Sequence, residues 1–152
     1  MSAPRIHPTA RIGEGALIHP GASIGEHAIV CPYAVVAHGA SVARYALLGE
    51  RSLVGPFAGV EEGAVVGRYS IIGEGAIVAR NSRIGERAVV GRYAVVREDA
   101  IVSPYAAIAP YRVVVGDLGK VTEAVKAARE AALLDAEAAK AAAERDLSEV
   151  AS

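Results

Sequence analysis

Residues 48–85 read LGERSLVGPFAGVEEGAVVGRYSIIGEGAIVARNSRIG. An aliphatic residue stands at Leu48, Val54, Val60, Val66, Ile72, Val78 and Ile84, one every six positions. A small residue holds a second column, Ser52, Ala58, Ala64, Ser70, Ala76 and Ser82, again at steps of six. Extending outward, the aliphatic column runs without exception from Ile6 to Ile108. The small column runs from Ala10 to Ala106, all Ala except those three serines, and Arg112 breaks it. A six-residue period fits neither a helix nor a simple alternating strand. It fits short strands separated by tight corners, each strand reading small in, variable out, aliphatic in. Internal repetition of this kind outranks local propensity in deciding a fold.

Ile12-Gly13-Glu14-Gly15-Ala16-Leu17 and Ile72-Gly73-Glu74-Gly75-Ala76-Ile77 carry the full motif of aliphatic, Gly, two free residues, small, one free residue. In this the chain resembles the hexapeptide-repeat family, the superfamily of trimeric acyltransferases and γ-type carbonic anhydrases, from Ile6 to about Val113. The resemblance implies a left-handed parallel β-helix of about six triangular coils, three hexads to a coil, and a homotrimer. The residues 48–85 also look like the solenoids that several sugar-nucleotide transferases carry as C-terminal assembly domains. A catalytic nucleotidyltransferase half is not expected within these 152 residues.

The chain supports an 18-residue coil by itself. At that spacing one corner reads Glu26, Arg44, Glu62, Arg80, Glu98, and a second reads Glu50, Arg68, Glu86. Beside the second runs Tyr33, Arg51, Tyr69, Arg87, Tyr105, where guanidinium groups can lie on rings. Residues stacked one coil apart behave as cross-strand neighbours, so alternating sign is the expected mark of the register.

Three outer faces follow. One presents Leu17, Val35, Leu53, Ile71, Val89 and Ala107, with His19, Ala37, Gly55, Gly73, Gly91 and Ala109 beside them. A continuous apolar wall of this size is expected to be covered by another subunit or by the chain's own helix. The second presents Arg11, Ile29, Leu47, Val65, Arg83 and Ile101; the third Ser23, Ser41, Gly59, Ile77, Val95 and Val113.

The solenoid is expected over residues 1–116, and a long C-terminal α-helix over 117–152. Gly116-Asp117 and Gly119 punctuate the change, and the Ala, Glu, Lys and Leu that follow favour helix. Val121, Val125, Ala128 and Ala132 start a mostly alanine stripe at helical spacing, a further candidate interface. Six coils stack to roughly 29 Å, whereas about 30 helical residues span roughly 45 Å. Such a helix outreaches its own solenoid, which favours packing among subunits.

Composition narrows the function classes. Of 152 residues 53% are apolar, and the net charge is −1; the basic residues alternate with acids and form no stripe, so neither nucleic acid nor membrane is an expected partner. Met1 to Arg5 lack the apolar core of a signal peptide, and the single Cys31 excludes an intrachain disulfide, so a cytoplasmic setting is expected. Cys31 has no evident base or cation to activate it.

Catalysis in the family takes two forms. For acyl transfer, the resemblance makes His38 the candidate general base and His27 the second choice. For a γ-type anhydrase it would require two histidines five apart with a third about two coils earlier. His7, His19, His27 and His38 do not meet that spacing, so no metal ligand is assigned. The repeat from Ile6 to Val113 admits no inserted loop to close a pocket, and Gly116-Asp117-Leu118-Gly119-Lys120 lacks the Pro-Ala of many acyltransferase tails. The reading that follows is a non-catalytic structural homotrimer without cofactor or small-molecule substrate. Local and global signals agree almost everywhere, as in a designed (de novo) or consensus scaffold or a thermostable trimerisation module. The alternative is an acyltransferase or a γ-carbonic-anhydrase-like protein.

Overall fold

The computed structural model describes residues 3–116. The expected helix over 117–152, with Val121, Val125, Ala128 and Ala132, lies outside them. The described chain winds as a left-handed parallel β-solenoid of about six coils. Two-residue strands begin every six residues, from Arg5–Ile6 to Val113–Val114. They stack into three parallel sheets of seven, six and six strands. Sheet A starts with Arg5–Ile6, sheet B with Arg11–Ile12 and sheet C with Leu17–Ile18. Each strand pairs with the one 18 residues on, as Ile71 with Val89 and Ile72 with Val90.

The aliphatic and small columns both point inward and make one core. Val30, Val36, Leu48, Val54, Ile72 and Val90 are fully buried, with Ala28, Ala34, Ala64 and Ala76 between them. The three exceptions to the alanine column satisfy themselves locally. Ser52, Ser70 and Ser82 donate their hydroxyls to the carbonyls of Gly49, Gly67 and Ala79 at 2.7, 2.5 and 2.6 Å. A buried hydroxyl is tolerated when it is so paired.

Two different demands select glycine. At the corners, the second turn residue has positive φ, as at Gly15, Gly39 and Gly75, where glycine bears no steric penalty. The glycine after the aliphatic residue has a separate reason: a Cβ on Gly73 would stand 2.6 Å from the Arg92 nitrogen of the next coil. Close approach of stacked backbones, more than corner bending, favours glycine at that position, as at Gly49, Gly67 and Gly85.

Among the described residues, twelve corners hold a non-glycine residue at positive φ, including all six tyrosines. A side chain there costs roughly 1–2 kcal/mol, and the stack offsets it with contacts one coil away. The Tyr93 N–H donates to Glu74 O at 2.8 Å, and its ring stacks on Tyr111 with centroids 5.5 Å apart. Gly75 lies directly beneath that ring, where a Cβ would collide with it.

The expected ladders close in part. Arg44 reaches Glu62 at 3.2 Å, Arg80 reaches Glu98 at 3.3 Å and Arg68 reaches Glu86 at 3.2 Å. Arg51 lies over Tyr33 and Arg87 over Tyr69, at 4.9 and 4.6 Å from the ring centroids.

Candidate functional site: an apolar face and two corner histidines

Because successive side chains alternate across a strand, placing Ile72 in the core sends Ile71 outward. The same alternation puts Leu17, Val35, Leu53, Ile71, Val89 and Ala107 in one outward column on sheet C. Leu17, Leu53, Ile71 and Val89 are exposed, and Val35 and Ala107 half-buried. The adjoining column, His19 to Ala109, contains His19 as its one titratable residue. Sheets A and B differ: arginines stand outward on both, at Arg5, Arg11 and Arg83. Sheet C is thus a flat wall of aliphatic and small side chains without a formal charge.

His38 sits at the corner between sheets C and A. Its Nδ1 lies 2.7 Å from the Pro20 carbonyl oxygen, one coil below. A carbonyl only accepts, so Nδ1 carries the proton and donates. In the neutral ring the lone pair then lies on Nε2. Phe57 meets the ring edge-on with centroids 5.5 Å apart, and Gly21 leaves room beneath it.

His27 is held otherwise, at the corner between sheets A and B. Its ring stacks on Tyr45 with centroids 5.2 Å apart, and Nε2 lies 3.4 Å from the Glu26 carboxylate. That carboxylate engages the nitrogen a base would need. Thr9, Arg11, His27, Ile29 and Tyr45 line a shallow open groove, so the second candidate base faces solvent. The two histidines belong to different corners and form no common centre. Among the described residues no group of three His, Cys, Asp or Glu is placed to share a metal ion.

Cys31 stands half-buried on sheet B. Burial first, and then the Glu50 carboxylate, push its thiol above the ordinary range, which keeps it protonated and poorly nucleophilic. No described helix is long and apolar enough to cross a membrane.

The 18-residue spacing could have foretold two contacts that the sequence analysis did not name, His27 on Tyr45 and Tyr93 on Tyr111. The His38 hydrogen bond to Pro20 spans the same interval, but a backbone carbonyl leaves no residue-type signal.

Among solved structures, the perosamine N-acetyltransferase PerB from Caulobacter crescentus, in complex with CoA and GDP-perosamine, is similar at 20% identity and a TM-score of 0.46. That match covers 69% of this chain and 50% of PerB. The acetyltransferase domain of PglB from Neisseria gonorrhoeae is similar at 18% identity and a TM-score of 0.46, over 72% of this chain and 52% of that one. LpxA from Acinetobacter baumannii matches at 16% identity and a TM-score of 0.41, over 77% and 67%. The chain thus spans about half the length of the PerB and PglB structures. No curated protein matches it. A family description does match, over residues 3–124, a span that takes in every described coil, and by that match the chain belongs to the GMPPB C-terminal domain family.

Proposed function

We propose that this chain is an assembly module, a non-catalytic solenoid that joins copies of itself into a homotrimer through sheet C. The carrying observation is the uncharged column from Leu17 to Ala107, aliphatic along its whole height and exposed at four of its six positions. Monomeric proteins seldom leave so continuous an apolar surface in water, and a closed homo-oligomer covers it most simply. Membership in a family of C-terminal domains supports a serving role. Sedimentation equilibrium tests the reading: a trimer is expected, reverting to monomer in the double variant Leu53→Glu, Ile71→Glu. A wild-type monomer at micromolar concentration overturns it.

A second reading rests on His38. With Nδ1–H held by Pro20 O, the Nε2 lone pair could take a proton from an attacking hydroxyl or amine during acyl transfer. Turnover of acetyl coenzyme A with amino-sugar acceptors, lost in His38→Ala, would establish this activity. Its absence across such acceptors removes it.

A further inference from the structure

The chain leaves its repeat on sheet B. In the coils below, the first residue of each sheet B strand donates its N–H to a carbonyl 17 residues on, as Val65 does to Ser82 and Arg83 to Ala100. Ile101 instead donates to the Gly116 carbonyl at 3.0 Å, 15 residues on. The last described residue is thereby drawn onto Ile101–Val102, the terminal described strand of sheet B. Residues 117–152 continue from that edge. Below it the outward column reads Ile101, Arg83, Val65, Leu47, Ile29 and Arg11. Ile29 and Ile101 are exposed, Leu47 and Val65 half-buried. The column beside it is small throughout: Gly13, Cys31, Gly49, Gly67, Gly85 and Ser103. Purely parallel sheets are seldom left bare on a face, and helices are their usual cover.

Position, length and charge select the occupant. Val121, Val125, Ala128, Ala132 and Ala136 recur at helical spacing, and their mostly small side chains suit close approach to the glycine column. From Ile101 down to Ile29 is four coils, about 19 Å, which about 13 helical residues cover. The 36 residues after Gly116 exceed that need. Residues 117–152 carry eight acids against five bases, whereas the two outward columns of sheet B hold Arg11 and Arg83 and no acid. A second copy set sheet B against sheet B would bring two like-charged faces together. We infer that residues 117–152 fold back on their own solenoid as an amphipathic helix, with the stripe from Val121 to Ala136 laid over sheet B. The helix covers Ile29, Leu47, Val65 and Ile101 and screens Cys31. Sheet B is thus closed within each chain, and sheet C stays open whether or not copies assemble through it.

Cys31, the one cysteine of the chain, supplies the test. In the full chain, Ala132→Cys and Ala136→Cys each set a second thiol on the stripe, near the level of Cys31. Glu130→Cys sets one on the opposite side of the helix. Under diamide oxidation the first two should form a disulfide with Cys31 within one chain, at least about tenfold faster than the third, because docking raises the local thiol concentration. Mass spectrometry under denaturing conditions reads the product, and the readout is the same in monomer and trimer. In a chain with Cys31 alone, Val125→Glu puts a charge into the stripe and leaves every solenoid residue in place. It should raise the iodoacetamide labelling rate of Cys31 about threefold or more by favouring the undocked state, with the circular dichroism signal of the solenoid retained. Equal disulfide rates at all three positions would overturn the proposal, as would Cys31 labelling untouched by Val125→Glu. Disulfides formed only between chains would overturn it too, by giving the cover to a neighbouring copy.

Discussion

Ile71 and Ile72 are the same side chain on the same two-residue strand, one 43% exposed and the other fully buried. Ile72 faces the alanine column and helps close the core; Ile71 faces outward in the wall of sheet C. Alternation across the strand is the whole cause of the difference. It teaches that the solenoid separates two tasks by parity. The inner column builds the stack, and the outer column is free to differ from sheet to sheet without disturbing it. Sheet C keeps that freedom apolar, whereas sheets A and B place arginines in it.

The comparison breaks most sharply at the buried member. Ile72→Ala should cost about 2–5 kcal/mol by urea denaturation, because the coils above and below are tied to each other and cannot collapse into the void. A loss below about 1 kcal/mol would mean that the inner column is loosely packed.

Ile71→Glu should sharpen the contrast from the other side. The proposed trimer should dissociate in sedimentation experiments, while the isolated solenoid keeps its stability to within about 0.5 kcal/mol, as surface changes usually do. A large loss of monomer stability would show that outer and inner columns are not independent.

A smaller effect belongs to the corners. Arg87→Ala removes the guanidinium from the Tyr69 ring and from Glu86. It should cost about 0.5–1 kcal/mol, with the Glu86 part of the loss shrinking in high salt. The least effect on the fold is expected at Cys31, which tests the outer face as a chemical surface. Its raised thiol pKa leaves the neutral form dominant at neutral pH. Iodoacetamide should therefore label the folded protein more slowly than the urea-unfolded chain, and the two rates should converge as pH rises above the folded value. The sign for stability follows: a pKa raised on folding stabilises below the unfolded pKa, and that contribution fades as pH rises through the folded one.

Much of this was legible in the residues. The aliphatic column from Ile6 to Ile108 and the alanine column beside it announced the strand period, and the Arg44–Glu62 and Arg51–Tyr33 spacings announced the coil. The outward wall of sheet C followed from the same register. The corner glycines were legible only as corner formers; that the next coil's backbone passes close to Gly73 is visible only once coils are stacked. The orientation of His38 was hidden for a related reason, since its partner is the backbone oxygen of Pro20, which every residue type possesses.

What the sequence determined by itself is therefore periodic: where strands start, which side chains turn inward, and which residues meet one coil apart. Hydrophobic spacing carries that information directly, because burying a six-residue repeat admits few arrangements. The tertiary structure decided what depends on backbone meeting backbone. It set the hydrogen bond of His38 and the bearable positive φ of the corner tyrosines. No residue type encodes these, for each arises from what the neighbouring coil supplies.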